Sequence, residues 1–188
     1  GTSWTETTEM NGGRIYGSSC GGISTDAIIS GDGGGPAPGT SVEYWNGSSW
    51  TELNDISTAR GAAGGGGTST ATLVSGGNPA PGGTTDATEE FTTSSAFKPI
   101  NLGQVYFNSG SNAFKVTEQP VPGGTWASGG SMNTQGYALF SLGTQTAAMR
   151  AGGSGGSPSY ATNVETYDGS SWTAGTALGT GRNNEGGT

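Results

Sequence analysis

One interval constrains this chain more than any other feature: the sequence repeats itself every 46 residues. NVETYDGSSW runs from Asn163 to Trp172, and SVEYWNGSSW runs from Ser41 to Trp50. A worn copy, ATEEFTTSSA, spans Ala87 to Ala96, and GTSW at Gly1 to Trp4 is the end of a fourth. Trp4, Trp50 and position 96 are 46 residues apart, as are Trp126 and Trp172. Self-similarity at such a period marks a stacked array, in which no unit can bury its apolar face alone.

Each copy reads as a β-hairpin. Val164 to Tyr167 suits a pleated, half-buried surface. Asp168-Gly169 and Asn46-Gly47 are strong hairpin signals, and a two-residue type I′ turn with positive φ at both residues is expected. A lone hairpin is marginal in water, so the copies are expected to pack on one another.

Glycine supplies 39 of 188 residues, and the hydrophobic set only 30%. That composition alone would suggest disorder, but here the glycines recur at fixed repeat positions. No strict G-X-Y period exists, which excludes collagen. The net charge of −8 disfavours nucleic acid and anionic lipid as partners. No apolar run reaches membrane-helix length, so no membrane insertion is expected. Cys20 is alone, so no internal disulfide framework is expected. The chain starts inside one repeat and stops inside another, and is expected to be a piece of a longer polypeptide.

The array is interrupted once. Trp50 and Trp126 are 76 residues apart, one period plus 30. The extra segment is placed at 97–125, with Gly103 to Val116 as a hairpin and Glu118 to Gly124 as the return. Repeat three is expected to lack its Trp, and repeat four to resume at Trp126. An apolar strand is expected before each glycine pair, at Ala27 to Ser30 and Thr70 to Ser75. No helix is expected.

The order within a unit is an apolar strand, a Gly-Gly pair, an aromatic strand, a Trp strand, then a loop with Arg. Gly76-Gly77 and Gly152-Gly153, Trp45 and Tyr167, Trp50 and Trp172, then Arg60 and Arg182 carry it. In this the chain resembles kelch-type β-propellers. It departs where repeat one has Gly31-Asp32 in place of the glycine pair. The resemblance implies an all-β fold of four-stranded blades around a channel, over residues 1–188. Without the insertion about 3.4 periods remain, and propellers have about four to eight blades. Further blades of the same chain, or associating copies in a homo-oligomer, would complete it. GTQTAAM at Gly143 to Met149 and VYFNSGSNAFKV at Val105 to Val116 are also similar to repeat proteins of marine bacteriophages, often tied to tail fibres or virions. That second resemblance alone implies the viral context, outside cells and beside other virion subunits.

Trp4, Trp50, Trp126 and Trp172 are expected to pack between neighbouring units. Trp45 is the candidate for an exposed sugar-stacking ring. Glu43, Glu89 and Glu165 lie seven residues before each repeat Trp position, and Arg14, Arg60 and Arg182 ten after it. A repeated Glu–Arg contact is expected to set packing register; the alternative is two independent habits of a duplicated sequence. The glycine pairs are expected to give positive φ and close backbone approach, with no phosphate-cradling role because no helix follows.

Histidine is absent, so no His-based triad, His base or His-rich metal centre is available. Glu89-Glu90 places two carboxylates on opposite faces of a strand. Ca²⁺ near Asp26, Asp32 or Asp86 has no EF-hand spacing to support it. Neither a cofactor nor catalysis is expected. Specific function is expected on the insertion, where Tyr106, Phe107, Phe114 and Lys115 form a contact surface or else fold back as a satellite core. The resulting expectation is a structural and recognition module of a phage particle, with host-surface glycan as a candidate ligand. The alternatives are a bacterial surface or secreted kelch-like binding protein, and a glycan-active propeller enzyme.

Overall fold

The computed structural model describes residues 6–19, 23–33, 39–79, 82–93, 105–110, 112–116, 123–155 and 160–183. Among these the chain is all-β and contains no helix. Trp4, Cys20 and the ends of the insertion lie outside the described residues.

Three four-stranded antiparallel sheets follow one another along the chain. The first comprises β1 (Ser18–Ser19), β2 (Ala27–Asp32), β3 (Gly39–Trp45) and β4 (Trp50–Leu53). A short link, β5 (Arg60–Gly61), pairs later with β8 (Asn78–Pro79). The second sheet comprises β6 (Gly64–Thr68), β7 (Ala71–Ser75), β9 (Thr88–Thr93) and β12 (Gly124–Ser128). Between β9 and β12 stands a separate hairpin, β10 (Val105–Asn108) and β11 (Ala113–Val116). The third sheet comprises β13 (Phe140–Thr144), β14 (Ala147–Ala151), β15 (Val164–Tyr167) and β16 (Trp172–Ala174). In every sheet the strands pair in chain order, so each is a meander.

The sheets pack face to face. Leu73 and Val74 are consecutive on β7 and point to opposite faces. Val74 joins Ile28, Val42, Ile56 and Phe91 in one core, toward the first sheet. Leu73 joins Met132, Leu139, Ala148, Tyr167 and Trp172 in a second core, toward the third sheet. Two indoles tie successive sheets: Trp126 Nε1 donates to the Asn54 carbonyl at 2.8 Å, and Trp172 Nε1 donates to Thr88 Oγ1 at 3.0 Å. These two tryptophans therefore lie between neighbouring units. Trp50 is half-buried against Trp45, with ring centroids 5.3 Å apart.

The insertion sits elsewhere in the unit than the period implied. Trp126 is the register partner of Phe91, as Trp50 is of Trp45 and Trp172 of Tyr167. The second sheet thus has its Trp, and the added residues replace its hairpin turn. Residues assigned by spacing to a third and a fourth repeat are two halves of one.

The turns also differ from expectation. The loop 46–49 separates the register partners Trp45 and Trp50. Gly47 has φ of 93°, whereas Asn46 stays out of the positive region. The Asn46 carboxamide oxygen instead accepts from the N–H groups of Ser48 and Ser49, each at 2.9 Å. Asp168 does the same for Ser170 and Ser171 at 2.9 and 2.8 Å. A side-chain-capped four-residue loop replaces the two-residue type I′ turn.

The glycine pairs behave as expected. Gly76 and Gly77 have φ of 65° and 106°, and a Cβ on Gly76 would lie 2.5 Å from the Gly136 carbonyl oxygen. In the first unit Gly31 keeps φ of 68°, and the pairing shifts register between Ser30 and Asp32. One strand has no propensity to account for it: β6 is four glycines and a threonine. A Cβ on Gly64 would lie 2.9 Å from Ser141 Cβ, so the close approach of β13 excludes side chains there.

Candidate functional site

Each sheet is held by one buried ion pair. Arg14 Nη2 lies 2.8 Å from Glu43 Oε1, and Arg60 Nη2 lies 2.5 Å from Glu89 Oε1. The third pair is Arg150 with Glu165. Each carboxylate also accepts two consecutive backbone N–H groups from the loop before its sheet. For Glu43 these are Asn11 at 2.8 Å and Gly12 at 3.3 Å. For Glu89 they are Ser57 at 2.7 Å and Thr58 at 3.3 Å, and for Glu165, Asn133 at 2.7 Å and Thr134 at 3.0 Å. The guanidinium groups go on to backbone carbonyls: Arg14 donates to Gly31 and Ser41 at 3.0 and 2.6 Å, Arg60 to Gly76 and Ala87 at 3.2 and 2.9 Å. Such multiple bonding is what a buried pair needs to offset desolvation.

Burial pushes the Glu43 carboxyl up, but the Arg14 bond and the Asn11 N–H outweigh it and hold the carboxyl below its ordinary value. Arg60 is lowered by burial, which Glu89 partly opposes.

The expected Glu–Arg contact exists in all three sheets, with one exchange of partner. Arg182 is exposed and joins no ion pair among the described residues. Arg14 precedes Glu43, and Arg60 precedes Glu89, by 29 residues. The corresponding position before Glu165 is Gly136, and Arg150 on β14 supplies the guanidinium instead. Arg150 faces Glu165 across the sheet, where Ile29 and Val74 face Glu43 and Glu89. Glycine at 136 and arginine at 150 replace arginine and an aliphatic residue. Spacing alone missed Arg150.

Glu90 points away from Glu89 and accepts the Tyr167 hydroxyl at 2.5 Å. These adjacent carboxylates are therefore occupied separately. Among the described residues no group of three His, Cys, Asp or Glu side chains is placed to hold a metal ion. No helix among them is long and apolar enough to cross a membrane.

Among the described residues cross-strand aromatic pairs occur four times. Trp45–Trp50, Phe91–Trp126 and Tyr167–Trp172 have centroids 5.3, 5.2 and 5.0 Å apart. In each of these the first ring is buried, with Phe91 fully so at 0% exposure. Trp45 also donates its indole N–H to the Ser24 carbonyl at 2.8 Å. It is 8% exposed, so it offers no open face for a sugar, contrary to expectation.

The fourth pair is Phe107–Phe114 in the inserted hairpin, 5.3 Å apart and edge-on. Both rings stand in solvent, at 52% and 76% exposure. Val105 is two residues from Phe107 on the same face and is 60% exposed. These three side chains form an open apolar face, and a satellite core built on Phe107 and Phe114 is not formed. Lys115 is exposed and pairs in register with Tyr106, of which only the backbone is described. Asn108 caps the hairpin turn through its bond from the Gly110 N–H at 3.0 Å.

No protein-family model matches the chain, and no curated protein sequence matches it.

Proposed function

We propose that the chain is a non-catalytic structural and recognition module, a set of kelch-like propeller blades on the outside of a phage particle such as a tail fibre, whose inserted hairpin contacts a host-surface glycan. The observation that carries the recognition role is the unpartnered Phe107–Phe114 pair. The three like pairs in the sheets each bury a ring, while this one holds both rings in water. Exposed aromatic and apolar groups gathered on a rigid scaffold are the usual signature of a contact surface.

Three meanders stacked face to face in chain order support the blade reading. Further blades or second copies would extend the stack. The phage context rests on the similarity of the Thr- and Gly-rich repeats to marine phage proteins. The non-catalytic reading rests on the sheet carboxylates Glu43, Glu89 and Glu165 being engaged by arginine, and Glu90 by Tyr167.

A carbohydrate array tests this with the wild-type chain and a Phe107→Ser/Phe114→Ser variant. Binding by the wild type, loss of binding by the variant and no cleavage of the bound glycans are expected. Glycan cleavage would make the protein an enzyme. Undiminished binding by the variant would remove the hairpin as the site.

A further inference from the structure

Among the described residues twelve glycines and only four other residues have positive φ. Three of those four are Tyr16, Ala62 and Ala138, at φ of 57°, 51° and 51°. They occupy one position in successive units, two residues after Arg14, Arg60 and Gly136. The backbone there links the units in series: the Ala62 N–H donates to the Tyr16 carbonyl at 2.6 Å, and the Ala138 N–H to the Ala62 carbonyl at 2.8 Å. Glycine would make the same bonds without strain, and this chain uses 39 glycines. Side chains are nevertheless retained at all three positions.

Those residues surround an open cavity of about 260 Å³. Gly61, Ala62 and Asn78 of the middle unit line it, together with Gly33. Tyr16 and Tyr137, from the outer units, also line it. The units differ at this point: Ile15, Gly61 and Tyr137 are equivalent, as are Tyr16, Ala62 and Ala138. The aromatic rings are therefore placed individually and not by the repeat. Tyr16 is 68% exposed, so core packing does not account for its ring.

We propose that this cavity binds one uncharged sugar ring, stacked against both Tyr16 and Tyr137 and hydrogen-bonded by Asn78 and the exposed backbone. No charged side chain lines the cavity, which favours an uncharged ligand over an ion. Its volume is below the roughly 300–1,000 Å³ of drug-sized sites, which limits the ligand to about one ring. A Tyr face with a few convergent polar groups suits a ring with one apolar face and peripheral hydroxyls. The site is separate from the hairpin and rests on a different observation.

Saturation-transfer NMR with a panel of neutral methyl glycosides tests it, using wild type, Tyr16→Gly, Tyr16→Phe and Tyr137→Ala. At least one glycoside should bind the wild type and Tyr16→Phe alike. Tyr16→Gly and Tyr137→Ala should each weaken binding about tenfold, the loss of one stacked ring. Tyr16→Gly relieves the strained φ, so its urea midpoint should not fall, which separates a lost ligand contact from a lost fold. Absence of transfer from every glycoside, or equal transfer to Tyr16→Gly, overturns the proposal. Either result leaves the hairpin reading intact, because Phe107 and Phe114 are unchanged in these variants.

Discussion

Exchanging the partner of Glu165 gives a direct test of how the sheets are tied. Arg150→Val should leave the Glu165 carboxylate buried, with the N–H groups of Asn133 and Thr134 as its remaining backbone donors. Removing one member of a buried pair costs about 3–5 kcal/mol. At a urea m-value of about 2 kcal/mol/M this moves the unfolding midpoint down by about 2 M. Adding Gly136→Arg to that variant rebuilds the arrangement of the other two sheets, with arginine 29 residues before the glutamate and an aliphatic residue across from it. A Cβ at 136 would lie 4.0 Å from Arg150 Nη1 and 3.1 Å from Leu139 Cδ2. A side chain there heads toward the space that Arg150 vacates, and Leu139 and the Ser154 carbonyl oxygen, 3.3 Å from that Cβ, have to shift by a few tenths of an ångström. The double variant should therefore recover most of the loss, with about 1 kcal/mol of packing strain remaining. Gly136→Arg alone should destabilise, because it brings a second guanidinium to one carboxylate. Urea unfolding of the four proteins forms a double-mutant cycle. A double variant no more stable than Arg150→Val, with coupling under about 0.5 kcal/mol, would refute the equivalence of the two positions.

Phe91 is fully buried between the first two sheets, so Phe91→Ala should cost about 3–5 kcal/mol, read as a urea midpoint shift. The Glu43 carboxyl is held below its ordinary value of 4.5, so its contribution is present above that value. It is lost as the pH falls through the lowered folded value, and an acid titration of unfolding should show Glu43→Gln flattening this limb. At the alkaline end Tyr44 and Tyr167 are each pushed from 10.0 to about 12. Burial is the largest cause for both, followed by the charge of Asp26 for Tyr44 and the Glu90 hydrogen bond for Tyr167. Their stabilisation is complete below pH 10 and is lost as the pH rises toward 12. Tyrosinate absorbance and unfolding should therefore rise together in that window, and tyrosines that all titrate near their ordinary value in the folded protein would contradict it.

The hairpins, the glycine pairs and the buried glutamates were legible because each is written in a few adjacent residues or in the 46-residue period. The place of Trp126 was not. Its strand pairs with Phe91 across the insertion, and period counting from position 96 assigned it to a new repeat. Strand β6 was missed because four glycines carry no strand propensity; close approach of the next sheet selects them. Arg150 was missed because it reaches Glu165 through strand register and not through repeat spacing. Trp45 was misjudged for a related reason: chain distance does not show that Ser24 and Trp50 enclose it. On the hairpin, sequence located the aromatic residues but left open whether they fold back, and the structure leaves Phe107 and Phe114 exposed.

If the inserted hairpin carries recognition in place of an ordinary turn, the stacked sheets should stand without it. Replacing residues 92–125 by Asn-Gly-Ser-Ser joins Phe91 to Trp126 as Trp45 is joined to Trp50. Urea midpoint and glycan-array binding should be measured together on that one protein. A midpoint within about 1 kcal/mol of wild type is expected, with the array signal gone. A collapse in stability, or binding that survives the replacement, would contradict it.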